Sequence, residues 1–310
     1  MSKWTEQAMP DQSGRTILVT GANSGLGFVT SRELARKGAH VLMAVRDPAR
    51  GEDALARIRA AVPKASIELR RLDLADLDQV KSFARQLIDD KVPLDILINN
   101  AGVMMPPRTL TGQGFELQFG VNHLAHFALT GLLLETLAKR QESRVVTVSS
   151  DLHRRGHIHF DDLDGAKNYG RIAFYAQSKF ANVLFALELD RRLRAASLPV
   201  RSLLAHPGYA ATNLQTSGPT GLLNLFMRIG NRFMAQSMEM GALPQLYAAT
   251  APQAESGQFI GPDGRTEMKG YPTVVQPIAS ARDPDVAAKF WALSEQLTGI
   301  KPSFATETSI

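Results

Sequence analysis

The chain has 310 residues, 44% of them hydrophobic and 21% charged, which suits a globular protein with a substantial buried core. The net charge of +5 comes from Lys and Arg scattered without a run or interleaved aromatics, so no nucleic-acid partner is expected. With no Cys, disulfides, zinc–thiolate centres and thiol nucleophiles are excluded. The polar start MSKWTEQAMPDQSGR has no signal-peptide core, and residues 1–13 are expected to be a flexible segment. From Thr16 apolar runs alternate with helical stretches. TILVT (16–20) ends in a glycine cluster, and a helix over Leu26 to Lys37 is closed by Gly38. HVLMAV (40–45) reads as a second buried strand, followed by a helix from Pro48 to Ala61. SIELRRLDL, DILINNAG and RVVTVSS supply three more strands, with helices around Leu77–Asp90 and Gly114–Arg140 between them. FYAQSKFANVLFALEL (174–189) reads as a helix, VRSLLAHPG (200–208) as a sixth strand, and GQFIG as a short last one.

Apolar strands alternating with helices predict a parallel sheet covered on both faces, with right-handed crossovers. The expected fold is a single doubly wound α/β domain of the Rossmann type over residues 1–310. A small helical substrate lobe is expected near the C-terminus, with residues 212–250 as lid helices. No run of about 18 apolar residues occurs, so no membrane span is expected and the chain reads as cytoplasmic.

TGANSGLG (20–27) lies between the first strand and the first helix. Gly21, Gly25 and Gly27 permit a tight turn and let a phosphate approach the backbone and the helix N-terminus. Asn23, Ser24 and Leu26 belong to the same loop and are expected to contact a dinucleotide. An NAD-type site would place an acidic residue at the end of the second strand, about twenty residues on. Here Val45 is followed by Arg46, whose guanidinium suits a 2′-phosphate, so NADP(H) is the expected cofactor. Asp47 stands beside Arg46 and weakens this reading.

An ordered set of motifs then becomes specific: TGANSGLG, LDL (72–74), NNAG (99–102), VNHLAHF (121–127), VVTVSS (145–150), YAQSK (175–179) and HPGYAATNL (206–214). Together they resemble the short-chain dehydrogenase/reductase family, and GANSGLG, VRDPARG, FGVNHLAHF and SKFANVLFALEL are most similar to its retinol dehydrogenase-like branch. The likeness spans roughly residues 14 to 300. The membrane anchor found at the N-terminus of many animal members of the branch is not seen here.

The resemblance implies a reacting set of Asn122, Ser150, Tyr175 and Lys179. Tyr175 would be the acid/base, with Ser150 orienting the carbonyl oxygen. Lys179, one helical turn from Tyr175, is expected to lower the phenol's pKa and to hold the nicotinamide ribose. Asn122 would link Lys179 to solvent through a water. By the same likeness Asp73 would receive the adenine edge beside Leu74, and Asn99, Ala101 and Gly102 would flank the adenosine ribose. Pro207, Gly208 and Thr212 would border the nicotinamide. The expected activity is NADP(H)-dependent hydride transfer to or from a small lipophilic carbonyl or alcohol, retinoid- or steroid-like in shape. Two alternatives are a double-bond reductase of the protochlorophyllide type, disfavoured by the absence of Cys, and a catalytically silent NADP(H) sensor.

Ser150 and Tyr175 are 25 residues apart, and the insert between them carries His153, His157, His159, Asp161 and Asp162. Hydride transfer needs no metal, so this segment is expected to form a rim over the substrate, with no metal site. Leu222, Leu225, Phe226, Phe233, Met234 and Met238 form an apolar stripe suited to core, interface or lid, and a peripheral membrane contact is conceivable through it. Met104 and Met105 are expected to line the same pocket. Family members commonly pair through the two long helices after the fourth and fifth strands, so a homodimer or tetramer is expected.

Overall fold

The computed structural model describes residues 3–209 and 236–305. Eight strands form one sheet in the order β3-β2-β1-β4-β5-β6-β7-β8. They are β1 (Thr16–Thr20), β2 (His40–Val45), β3 (Ser66–Arg71), β4 (Leu94–Asn99), β5 (Ser143–Val148), β6 (Val200–Ala205), β7 (Phe259–Pro262) and β8 (Pro272–Val275). All neighbours pair in parallel except β7 and β8, which are antiparallel. The expected doubly wound sheet is therefore present, extended by β8, which sequence reading missed.

Successive side chains in the central strands serve opposite faces. Ile17, Val19, Val41, Met43, Ile96 and Ile98 pack with α1 (Gly25–Arg36), α2 (Pro48–Ala61) and, further along the chain, the helix Met238–Thr250. Leu18, Leu42 and Leu97 pack instead with α3 (Leu77–Asp89) and with the helices after β4 and β5. Those begin with α4 (Leu117–Phe119), a π turn (Gly120–Leu124) and α5 (Ala125–Ala138), where a single helix is expected from the sequence. Next come α6 (Arg171–Ala195), α7 (Met238–Thr250) and α8 (Pro284–Thr298).

The structure bears on three further expectations. Over residues 3–13 the N-terminal segment is packed: Met9 is buried, and the Trp4 ring meets Tyr247 edge-on at 5.3 Å. Residues 212–235 of the proposed lid lie outside the described residues. The remainder is α7, buried against the sheet and α1 and held at its C-terminus by Arg144, whose guanidinium donates to the Ala248 and Ala251 carbonyls at 3.0 and 2.9 Å. Finally, one face of α5 and α6, the helices expected to pair two copies, is covered by α8 and the segment after it. Trp291 of α8 sits on Phe127 and Phe185 at 4.9 and 5.8 Å, and Ile300 and Pro302 lie over Gly131.

Candidate active site

The strand order reverses between β1 and β4, where a doubly wound sheet opens a crevice beyond its strand ends. A cavity of about 420 Å³ occupies that point. One wall is the glycine loop. Gly21 and Gly25 adopt φ of +66° and +55°, which side-chain-bearing residues rarely take. At Gly27 a Cβ would run into the Gly21 carbonyl and the Asn100 amide, so helix and strand meet only because it is absent. Ser24 precedes α1 but makes no side-chain cap, and the first-turn amides of the helix face the cavity without a partner from the N-cap. Such a terminus suits a pyrophosphate.

Arg46, Asp47 and Arg50 line the far end of the cavity. The ambiguity over Asp47 has a structural answer. Its Oδ1 accepts from the Ala49 and Arg50 amides at 3.0 and 3.2 Å, capping α2, and its Oδ2 lies 3.5 Å from Arg50 Nε. The carboxylate is committed to the helix, whereas two guanidinium groups border the cavity. Arg50 is a residue the sequence reading overlooked, although VRDPARG carries both arginines. Along the third wall Asp73 spends one carboxylate oxygen on the Ala75 amide at 2.9 Å, with Leu74 beside it. Ala101 and Gly102 line the cavity, but Asn99 does not. Its side chain turns into the core and donates to Thr130 Oγ1 at 3.0 Å. Period-two alternation puts Asn100 in its place, with its amide on the Thr20 carbonyl at 2.7 Å. The glycine loop, the open helix start and the basic end of the cavity fit a dinucleotide.

Tyr175, Ser150, Lys179 and Asn122 gather beyond Gly102. A Cβ at Gly102 would lie 3.2 Å from Asn122 Oδ1 and 3.7 Å from Lys179 Nζ, so this glycine joins the two regions. Ser150 faces the Tyr175 hydroxyl, which it favours in its charged form, and Met104, which also lines the cavity, packs with Tyr175, Met105 and Leu152. Lys179 Nζ donates to the Val148 carbonyl at 3.1 Å and lies 5.7 Å from the Tyr175 ring centre. Asn122 sits on the π turn, a local widening common at functional sites. It clamps Val103, accepting from its amide at 2.7 Å and donating to its carbonyl at 3.0 Å, and donates to Ser178 Oγ at 2.9 Å. Ser149, the other serine of the pair, points away and donates to the Lys179 carbonyl at 2.9 Å.

The expected electrostatics are reversed in this arrangement. Burial pushes the Tyr175 phenol up to about 12, opposed only by Ser150. Burial also pushes Lys179 down to about 8. Both groups move towards neutrality, and the ammonium does not draw the phenol down.

Pro207 and Gly208 follow β6. The Pro207 carbonyl accepts from Gln236 at 2.6 Å, and Gly208 takes φ of +62° against the Met268 carbonyl. Thr212 lies outside the described residues. In the insert, Asp161 pairs with Lys167, and Asp162 accepts from the Lys167 and Asn168 amides at 3.0 Å each. Among the described residues no group of three or more His, Asp or Glu is placed to hold a metal. His153 is instead turned inward, with Nδ1 2.7 Å from the Ser150 carbonyl, a contact the histidine-rich pattern did not disclose.

A family model for short chain dehydrogenases matches residues 15–221. The chain belongs to the short-chain dehydrogenase family. Mouse retinol dehydrogenase 14 is 41% identical over 301 residues, covering 93% of this chain and 86% of that protein. Mouse polyprenol dehydrogenase is 40% identical over 301 residues, with 94% and 86% coverage. A solved structure of an uncharacterized protein from Mycobacterium paratuberculosis is 44% identical with a TM-score of 0.80, covering 97% of this chain and 100% of that one. This short-chain dehydrogenase is thus a nicotinamide-dependent oxidoreductase of the retinol dehydrogenase-like branch, acting on CH–OH groups. Among the described residues no helix is long and apolar enough to cross a membrane.

Proposed function

We propose that this dehydrogenase is NADP(H)-dependent and interconverts a lipophilic alcohol with its aldehyde or ketone, with Tyr175 as the acid/base. The observation that carries this reading is the buried Tyr175 with the Lys179 ammonium 5.7 Å from its ring centre, beside a basic-ended dinucleotide cavity that Met104, a neighbour of Tyr175, helps to line. NADPH, when bound, supplies the hydride. Arg46 and Arg50 would hold its 2′-phosphate, the start of α1 its pyrophosphate, and Lys179 the nicotinamide ribose.

In the reducing direction Tyr175, kept protonated by burial, donates its proton to the substrate oxygen. Ser150 donates a hydrogen bond to the same oxygen and fixes it before the proton moves. Lys179 stands next to the phenolate left behind, and a cation there offsets its charge. Met104, Met105 and Leu152 make the surroundings of Tyr175 apolar, which favours a hydrocarbon-rich substrate and excludes water. Relatives named for retinol and polyprenol support an isoprenoid-like chain.

The test is NADPH consumption with a panel of aldehydes and ketones that includes retinal and a polyprenal. Tyr175→Phe should abolish turnover and leave NADPH binding intact. Turnover retained by that variant would reject the role of Tyr175, and equal efficiency with NADH would reject the cofactor preference.

A further inference from the structure

His126 stands on α5 one turn beyond Asn122 and is fully enclosed. Its Nδ1 is 3.0 Å from the Asn122 backbone carbonyl, and its Nε2 is 2.9 Å from Thr20 Oγ1. A carbonyl only accepts, so Nδ1 carries the proton and Nε2 is left as an acceptor. Thr20 matches this. Its oxygen receives the Asn100 and Ala101 amides at 3.0 Å each, and of the two acceptors open to its own proton the ring Nε2 at 2.9 Å is nearer than the Ile98 carbonyl at 3.4 Å. The bonds therefore run in one direction, from the amides after β4 through Thr20 and the imidazole to Asn122. Asn122 passes the restraint on, through Val103 and through Ser178, the residue before Lys179. Burial pushes His126 down to about 4 and His123 to about 3, so among the described residues Lys179 is the titratable group facing the ring that carries charge near neutral pH.

We propose that His126, protonated at Nδ1, is a positioning residue that holds the Asn122 carbonyl and so sets how Asn122 meets the Tyr175–Lys179 pair. This rests on the reading of Asn122, Tyr175 and Lys179 as the reacting set. The cofactor cradle does not depend on the ring, because Asn100 reaches Thr20 through both its backbone and side-chain amides. Losing His126 should therefore affect turnover and spare cofactor binding.

His126→Phe keeps a ring but makes neither bond, whereas His126→Asn offers an amide N–H close to the position of Nδ1. For the Phe variant kcat should fall roughly 10- to 100-fold, the scale of a misplacement near 1 Å. NADPH affinity should stay within roughly threefold, well under 1.4 kcal/mol, and the Asn variant should recover most of the lost kcat. Equal losses in the two variants, or an affinity loss as large as the loss in kcat, would overturn the assignment. A measurement on the unaltered chain guards against a variant that fails to fold. Histidine ¹⁵N shifts should show His126 with a protonated Nδ1 and a bare Nε2 at neutral pH. An Nε2–H tautomer, or a ring titrating there, would overturn it equally. If the unaltered chain turned over no member of the substrate panel, the proposed activity would fail, and the tautomer would still decide the bonding of His126.

Discussion

Lys179 is an ammonium held almost wholly out of water, donating to the Val148 carbonyl at 3.1 Å. Burial pushes its pKa in the folded chain down to about 8, from an ordinary lysine value of 10.5. A lowered lysine pKa means that the unfolded chain binds the proton more tightly. The cost to the fold is complete below about pH 8 and fades as the pH rises towards 10.5. At neutral pH that cost is of the order of a few kcal/mol. Lys179→Met should therefore raise stability in denaturant melts at pH 7 by up to a few kcal/mol while abolishing turnover, a gain that shrinks on approach to pH 10. A variant less stable than the parent at pH 7, or a gain independent of pH, would count against this account. The spacing of Tyr175 and Lys179 was legible in the sequence because a helix repeats predictably. The sign of their shifts was not, because it depends on how completely the surrounding chain removes water. Asn99 and Asn100 teach a related lesson: the motif NNAG announces a site, but only strand alternation decides which asparagine faces it.

At the scale of elements, the glycine loop joins β1 to α1 so closely that Gly27 has no room for a methyl group. Gly27→Ala should push the loop away from Asn100, destabilise the fold by about 1–3 kcal/mol and weaken NADPH binding. Thermal melts with and without NADPH would measure both effects, and an unchanged cofactor-induced shift would reject the close-packing argument. The strands from β1 to β7 were legible because most are apolar runs between turn signals, with β3 alternating Ile67 and Leu69 with polar residues, and α2 because Pro48 follows a capping Asp47. Two features were hidden. Gly120–Leu124 looks like ordinary helix in its residues, and only tertiary contacts widen it into a π turn. β8 is a short run with Pro272 at its start, and it becomes a strand only through antiparallel pairing with β7.

Across the whole molecule, the last helix changes what the chain can assemble into. In α6 every residue from Phe174 to Ala186 is buried within one copy. Phe290 of α8 closes on His123 at 4.7 Å, Trp291 stacks on Phe185, and Arg192 lies 4.6 Å from the Trp291 ring centre. Pairing through that face of α5 and α6 would require stripping away α8 and re-exposing these rings. Burial of a large apolar side chain contributes roughly 1.5–3 kcal/mol, and several would be lost at once. The chain should therefore sediment as a monomer at concentrations where a dimer built on those helices would be complete. Trp291→Ala provides the converse: it should cost about 3–5 kcal/mol of stability by opening a cavity under α8. If sedimentation velocity gave a stable dimer whose cross-links join α5 or α6 of two copies, α8 would have to leave that face, and the packing described for it would be wrong.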